Sequence, residues 1–189
     1  MARFFPVAGW SDNRNDFGAS RGGGSRPHDG VDIMASEGTP LVAVDGGTVY
    51  FGSDPLGGNV ANLYADDGYH YYYAHLSSFA GGGPRRVEAG ETIGYVGRTG
   101  NAKNTPAHVH FEAHPCPRGQ RCAVNPTPII SGLPRADQVP SPSSGRGVSA
   151  TPLRALAIAG IAGAALWWYL DRRGAERTVR RYIPSLPRW

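Results

Sequence analysis

Short runs of strand-forming residues alternate with turn signals along the first 130 residues. The runs cover residues 41–44, 48–51, 60–64, 69–74, 92–96 and 108–113, and they are rich in β-branched and aromatic side chains. Asp45-Gly46-Gly47 and Asp66-Asp67-Gly68 are typical of hairpin turns, because glycine readily adopts positive φ. No segment in this part repeats apolar residues at a helical period over three turns. The pattern predicts a mainly β fold built on an antiparallel sheet or sandwich.

The composition changes after residue 132. Residues 133–152 are dominated by proline, serine, glycine and arginine, which cannot bury enough apolar surface to form a core. We therefore expect a folded domain over residues 1–132, followed by an extended linker over residues 133–152.

A second apolar signal lies near the end of the chain, where residues 155–170 form a stretch of 16 residues without a charge. As a helix it would span about 24 Å at ~1.5 Å per residue, against a hydrocarbon core of about 30 Å. Leu153 extends it, and Trp167-Trp168-Tyr169 suits the lipid–water interface. These features predict a single C-terminal transmembrane helix over residues 153–170. An interfacial helix, or a helix docked on another protein, remains an alternative.

The net charge of +4 is unevenly distributed. Residues 1–152 carry 12 basic and 13 acidic side chains, a balance of −1, whereas residues 153–189 carry seven and two, a balance of +5. A basic tail over residues 171–189 beside an apolar stretch suits a lipid membrane and not a nucleic acid. By the positive-inside rule it favours a cytoplasmic C-terminus. Ala159 and Gly163, four residues apart, would permit helix–helix contacts in the bilayer.

Cys116 and Cys122 are the only two cysteines. Their spacing across a short loop with Pro117 and Gly119 is compatible with a local disulfide, which would indicate an oxidising compartment. Two unpaired thiols, or a zinc knuckle that includes the nearby His114, are the alternatives.

Three of the six histidines, with Asp32, stand in patterns suited to metal chemistry. His28 and Asp32 are four residues apart around a glycine, and His108 and His110 alternate in a strand-like run, so that both project from one face. His28, Asp32 and one histidine of the pair would supply three protein ligands and leave a fourth position for water. Catalytic zinc sites are built in this way.

Three motifs carry a family resemblance. They are Pro27-His28-Asp29-Gly30-Val31-Asp32, Tyr73-Ala74-His75-Leu76-Ser77 and His108-Val109-His110-Phe111-Glu112. In order and spacing this chain resembles the LytM/lysostaphin family of zinc-dependent peptidoglycan endopeptidases, over roughly residues 6–130.

The resemblance implies a role for each matching residue. His28, Asp32 and His110 correspond to the family's zinc ligands, and His75 and His108 correspond to its two catalytic histidines. It also implies an antiparallel sheet with a groove over the metal, and bacterial peptidoglycan as substrate. The division of base, acid and oxyanion-stabilising roles between His75 and His108 stays open.

Several neighbouring residues have two readings. Glu112 shares the face of His108 and His110, so it either orients a ligand or is a solvated charge at the strand end. Strand alternation places Tyr71 and Tyr73 on the face of His75, either lining the groove or packing. We expect an exposed strand position for His70 and a loop position for His114.

Two functional hypotheses follow. The first is an active, membrane-anchored zinc endopeptidase that faces the cell wall, in a cell or as a phage-encoded protein carried in the virion for local wall opening. The second is a catalytically silent wall-binding or activator module of the same fold. All five motif residues are present, which favours the enzyme.

Overall fold

The computed structural model describes residues 2–138. The later part of the predicted linker, the predicted transmembrane helix over residues 153–170 and the basic tail lie outside these residues. Within residues 2–138, no helix has the length and apolar character needed to cross a bilayer.

Strands dominate the described residues, as the alternation predicts, and helical structure is short. The strands are β1 (Asp12–Asn13), β2 (Ser20–Arg21), β3 (Arg26–Pro27), β4 (Val31–Met34), β5 (Pro40–Val42), β6 (Gly47–Asp54), β7 (Gly58–Ala65), β8 (His70–Leu76), β9 (Ser78–Phe79), β10 (Arg85–Val87), β11 (Thr92–Tyr95) and β12 (His108–His114). One α-helix, α1, covers Thr127–Ile130, and 3₁₀ turns cover Gly22–Gly24, Gly100–Ala102 and Ala136–Gln138.

Most of these strands form one antiparallel sheet of seven, in the order β1-β4-β12-β8-β7-β6-β10. A three-stranded sheet, β5-β11-β9, and a small two-stranded sheet, β2-β3, complete the set. The predicted mainly β, antiparallel architecture is confirmed.

The hydrophobic core joins the two larger sheets. Tyr73 and Phe111 of the seven-stranded sheet share one buried cluster with Leu41 and Ile93 of the three-stranded sheet. The Tyr73 hydroxyl donates to the carbonyl of Val42 at 3.0 Å and accepts from the backbone N–H of Val44. Because the inner face of the large sheet is filled in this way, its polar side chains are directed to the opposite face.

One of the two predicted hairpin turns is wrong. Asp66-Asp67-Gly68 does join the paired strands β7 and β8. Asp45-Gly46-Gly47 instead lies between β5 and β6, which belong to different sheets. Glycine permits the bend in both cases, but β5 pairs with β11, so the bend at 45–47 carries the chain from one sheet to the other.

The chain beyond residue 132 contacts the N-terminal segment. The carbonyl of Pro134 accepts from the N–H of Phe5 at 2.9 Å, and the Arg135 guanidinium donates to the carbonyl of Gly9 at 2.6 Å. The boundary between domain and linker at residues 132–133 stays a prediction.

Candidate metal centre and catalytic site

Strand register brings two predicted ligands together. Asp32 on β4 is the direct cross-strand partner of His110 on β12, and its Oδ1 lies 3.2 Å from His110 Nδ1. His28 is buried just before β4, and its Nε2 lies 2.7 Å from His110 Nδ1 and 3.1 Å from Asp32 Oδ1. His28, Asp32 and His110 thus form a group whose ligand atoms converge within 4.8 Å of one another.

The glycine of the first motif is required by the close approach of two chain segments. A Cβ atom on Gly30 would lie 2.4 Å from the carbonyl oxygen of Phe111 and 2.9 Å from Cε1 of His110. Any larger residue would push the β4 segment away from β12, and with it the two ligands that precede and follow Gly30.

The loop before the first motif holds both of its ligands. His28 Nδ1 lies 3.1 Å from the backbone carbonyl of Asp16, and the Asp16 carboxylate accepts from the N–H of Asp32 at 3.0 Å. Arg21 donates to the second oxygen of Asp32 at 3.0 Å and also pairs with Asp16. Sequence analysis missed Asp16 and Arg21, because neither belongs to a recognisable motif.

The contacts suit a lone pair on each of the facing ring nitrogens. His110 Nε2 donates to Glu112 at 2.9 Å, which leaves the lone pair of His110 on Nδ1. His28 Nδ1 lies 3.1 Å from the Asp16 carbonyl and 3.0 Å from Nη2 of Arg21, and in the tautomer that donates to the carbonyl His28 Nε2 is free to bind a metal. In that tautomer His28 Nε2, His110 Nδ1 and an oxygen of Asp32 face one another, and a proton or a metal ion between them relieves their repulsion.

Without a metal, the pKa shifts of the group correspond to a proton held between the two rings and Asp32. Burial raises the pKa of Asp32, but hydrogen bonds from His110 and His28 outweigh it and hold the pKa well below its usual range. Burial lowers the pKa of His110, but hydrogen bonds to Asp32 and Glu112 raise it to about 9. Tetrahedral zinc with bonds of ~2.0–2.1 Å would place its ligand atoms about 3.3 Å apart. The atoms of this group lie 2.7, 3.1 and 3.2 Å apart, so small adjustments would let the donor set hold zinc.

The two predicted catalytic histidines reach the same cleft. The His75 and His108 rings lie 4.9 Å apart between centroids, and His75 lies 6.2 Å from His110. His75 Nδ1 donates to the carbonyl of Thr99 at 3.0 Å, and His108 Nδ1 donates to the carbonyl of Pro106 at 2.8 Å. Both rings are thereby left with an unprotonated Nε2, which suits them to accept a proton.

His75 breaks the alternation of its strand, so the predicted shared face with Tyr71 and Tyr73 is wrong. The register between β7 and β8 shifts near this point, and His75 has φ of +68°. This bulge directs His75 to the cleft, whereas Tyr71 and Tyr73 are fully buried in the core. Tyr72, whose ring contacts His110 edge-on, faces the site instead.

Glu112 is buried at 4% exposure, which removes the reading of a solvated charge. It accepts from His110 and, at 2.7 Å, from Nε2 of His114. His114 is the last residue of β12 and is 1% exposed, so its predicted loop position is wrong. His70 is a strand residue, as predicted, but it is half-buried and not exposed, because it stacks on Tyr64 and His114.

The cysteines form a disulfide, with Cα atoms 6.2 Å apart. It closes a loop directly after β12. The open cleft over the metal group has a volume of about 430 Å³. The five motif histidine and aspartate residues line it, together with Leu56, Arg26 and Arg121.

Comparison with known proteins agrees with this geometry. The sequence model of Peptidase family M23 matches residues 26–126, which is more than half of the chain. The chain therefore belongs to Peptidase family M23. Within that family it resembles the LytM and lysostaphin type, as the motifs indicate.

Individual relatives show how far the similarity extends. The chain is 35% identical over 123 residues to the glycyl-glycine endopeptidase ALE-1 of Staphylococcus capitis, covering 64% of this chain and 33% of that protein. It is 37% identical over 114 residues to the DD-carboxypeptidase/endopeptidase Mpg of Neisseria meningitidis, covering 60% of this chain and 25% of that one. The matched part thus spans a quarter to a third of these relatives.

Solved structures give the same picture for the fold. Lysostaphin from Staphylococcus simulans superimposes with a TM-score of 0.61 at 28% identity, over 76% of this chain and 63% of that structure. Its isolated catalytic domain matches with a TM-score of 0.55 at 31% identity, over 62% of this chain and 90% of that domain.

Proposed function

We propose that this protein is a zinc-dependent endopeptidase that hydrolyses peptide bonds of bacterial peptidoglycan. The observation that supports the proposal is the convergence of three lone-pair donors, from His28, Asp32 and His110, in a cleft that two further histidine Nε2 atoms also face. A structural metal site would have no need of His75 and His108 at its open side.

The chemistry divides between the bound metal and the chain. Zinc in such a site lowers the pKa of water and polarises a carbonyl oxygen. His108 and His75 are each held by Nδ1, so that Nε2 can take a proton from water and later return it to the leaving amine. Burial lowers the pKa of His75 to about 4, so its ring is neutral near pH 7.

The relatives suggest two kinds of bond. ALE-1 is named a glycyl-glycine endopeptidase, and Mpg is named a DD-carboxypeptidase/endopeptidase. Walls with glycine bridges and walls with direct cross-links are therefore both substrates to test.

The location of the enzyme is proposed from the sequence alone. Anchoring through residues 153–170, with the peptidase domain on the wall side, would place the cleft near its substrate, either in a cell envelope or as a phage-borne wall-opening protein. Protease protection of each end of the chain in intact cells tests this placement, and a protected N-terminal domain would contradict it.

The test of the function is release of new amino groups from purified peptidoglycan by the full-length chain. We expect the activity to be lost in His108→Ala and His75→Ala, with zinc content unchanged, and to be retained in His70→Ala. A chelator should abolish activity and added zinc should restore it. A folded, zinc-loaded wild type that is inactive on both wall types would instead favour the silent activator module.

A further inference from the structure

A chain of hydrogen bonds connects the disulfide-closed loop to a metal ligand. The backbone N–H of Cys122 donates to Nδ1 of His114 at 3.1 Å, and Nε2 of His114 donates to Oε2 of Glu112 at 2.7 Å. Oε1 of Glu112 accepts from Nε2 of His110 at 2.9 Å. We call Cys122 N–H, His114, Glu112 and His110 the support chain.

The direction of every bond in the support chain follows from its first member. A backbone N–H can only donate, so Nδ1 of His114 must accept and its hydrogen must sit on Nε2. Glu112 then accepts on both oxygens, which leaves the hydrogen of His110 on Nε2. The lone pair of His110 is thus on Nδ1, the atom that faces His28 and Asp32.

The loop supplies a second contact to the same carboxylate. Nη2 of Arg121 lies 3.2 and 3.1 Å from the two oxygens of Glu112. Arg121 and Cys122 both lie within the loop that the Cys116–Cys122 disulfide closes. Arg118 in the same loop rests 4.3 Å above the ring of Tyr50, so the loop is also attached to the outer face of the sheet.

Burial makes these bonds consequential. His114 and Glu112 are 1% and 4% exposed, so water has little access to replace a lost partner, and a buried acceptor left without its donor is destabilising. We propose that Glu112 and His114 are positioning residues for His110, and that the disulfide-closed loop fixes both through Cys122 and Arg121. The inference rests on the proposed metal site, and it extends that site to the loop beyond β12.

The first test is zinc affinity, measured on the full-length chain by competition with a chromophoric chelator. Loss of an outer-shell partner typically weakens metal binding by about 10–100-fold, and we expect a change of this size for His114→Ala. His70→Ala is the matched control, because His70 stacks on His114 at 5.3 Å but hydrogen-bonds to Asn62 and not to Glu112. Its affinity should equal that of the wild type.

A pair of nearly isosteric replacements separates positioning from space filling. Gln at position 114 keeps a donor for Glu112, whereas Met has a similar volume and no donor. We expect His114→Gln to recover most of the zinc affinity and His114→Met to recover none. The d–d absorption of the cobalt-substituted protein should shift in His114→Met and stay unchanged in His70→Ala. Equal affinities and spectra for the two position-114 variants would overturn the inference.

The loop is tested by the double variant Cys116→Ser/Cys122→Ser, which avoids thiol reductants that chelate zinc. It should bind zinc more weakly than the wild type, and wild-type affinity in this variant would overturn the role of the loop. None of these experiments uses substrate, so their outcomes do not depend on whether the protein hydrolyses peptidoglycan. Failure of the wild-type chain to bind zinc would overturn the proposed function as well, whereas equal affinity in wild type, His114→Ala and His114→Met would overturn this inference alone.

Discussion

Replacement of Gly30 by alanine is a direct test of how the metal group is assembled. The new Cβ would lie 2.4 Å from the carbonyl oxygen of Phe111 and 2.9 Å from Cε1 of His110, whereas ordinary contact begins at 3.4 Å. The two segments must therefore separate by about 1 Å at the carbonyl (3.4 − 2.4), and the imidazole must move by about 0.5 Å (3.4 − 2.9). The carbonyl belongs to a central strand and cannot yield alone.

The expected consequences are measurable. Overpacking of this kind costs about 1–3 kcal/mol, which lowers the melting temperature of a domain of this size by roughly 3–12 °C. A ligand shift of about 0.5 Å exceeds the ~0.2 Å tolerance of metal–ligand distances. Zinc affinity should therefore fall, and hydrolysis should fall by roughly 100-fold, as for a misplacement near 1 Å.

Gly82 provides the control, because a Cβ there meets nothing within 4 Å and its backbone is not in the left-handed region. Thermal unfolding of metal-free and zinc-loaded Gly30→Ala and Gly82→Ala separates the loss of packing from the loss of metal binding. If Gly30→Ala matched Gly82→Ala in melting temperature and zinc affinity, the close approach of the two segments would not be what the motif glycine serves.

Three further predictions concern stability, pH and metal. Tyr73→Phe leaves the buried N–H of Val44 without its partner, so urea denaturation should show about 1–3 kcal/mol less stability with zinc affinity unchanged; wild-type stability would contradict this. Burial lowers the pKa of His70 to about 4. Because its unfolded pKa is about 6.5, the folded state loses stability as pH falls from about 6.5 to 4. His70→Gln should flatten that part of the melting profile of the metal-free protein, and parallel profiles would refute the assignment. Free zinc at about 100 times its Kd should stabilise the protein by about 2.7 kcal/mol, and a chelator should remove this stabilisation. We expect the stabilisation by zinc to persist in His108→Ala and to be lost in His110→Ala.

Local sequence signals predicted the long strands, and the motifs predicted which residues converge in the cleft. The six predicted strand runs all contain a strand, because their apolar alternation and glycine turns are local properties. The short strand β4, which carries Asp32, was not predicted, since its four residues are held by pairing with β12, more than 70 positions along the chain. Strands β2, β3, β9 and β10 have only two or three residues each and owe their conformation to distant partners.

Other details of the site depend on tertiary structure alone. The face of His75 follows from a register shift and a positive φ, which alternation cannot foresee at a residue other than glycine. The burial of His114 follows from the loop that folds back after β12. The contact of Asp16 with His28 joins residues that no shared motif connects.

The order of strands separates the parts of the cleft that must be kept from those that can vary. Asp32, His110 and His75 lie on three adjacent strands, β4, β12 and β8, inside the seven-stranded sheet. Other parts of the cleft lining come from the turns and loops near Leu56, Asn101 and Arg121. Their backbone is tied to the site, because the carbonyl of Thr99 holds His75 and the loop of Arg121 contacts Glu112. Exposed side chains on these loops, such as Leu56, can therefore be exchanged to alter substrate preference, whereas the backbone that carries them must be kept.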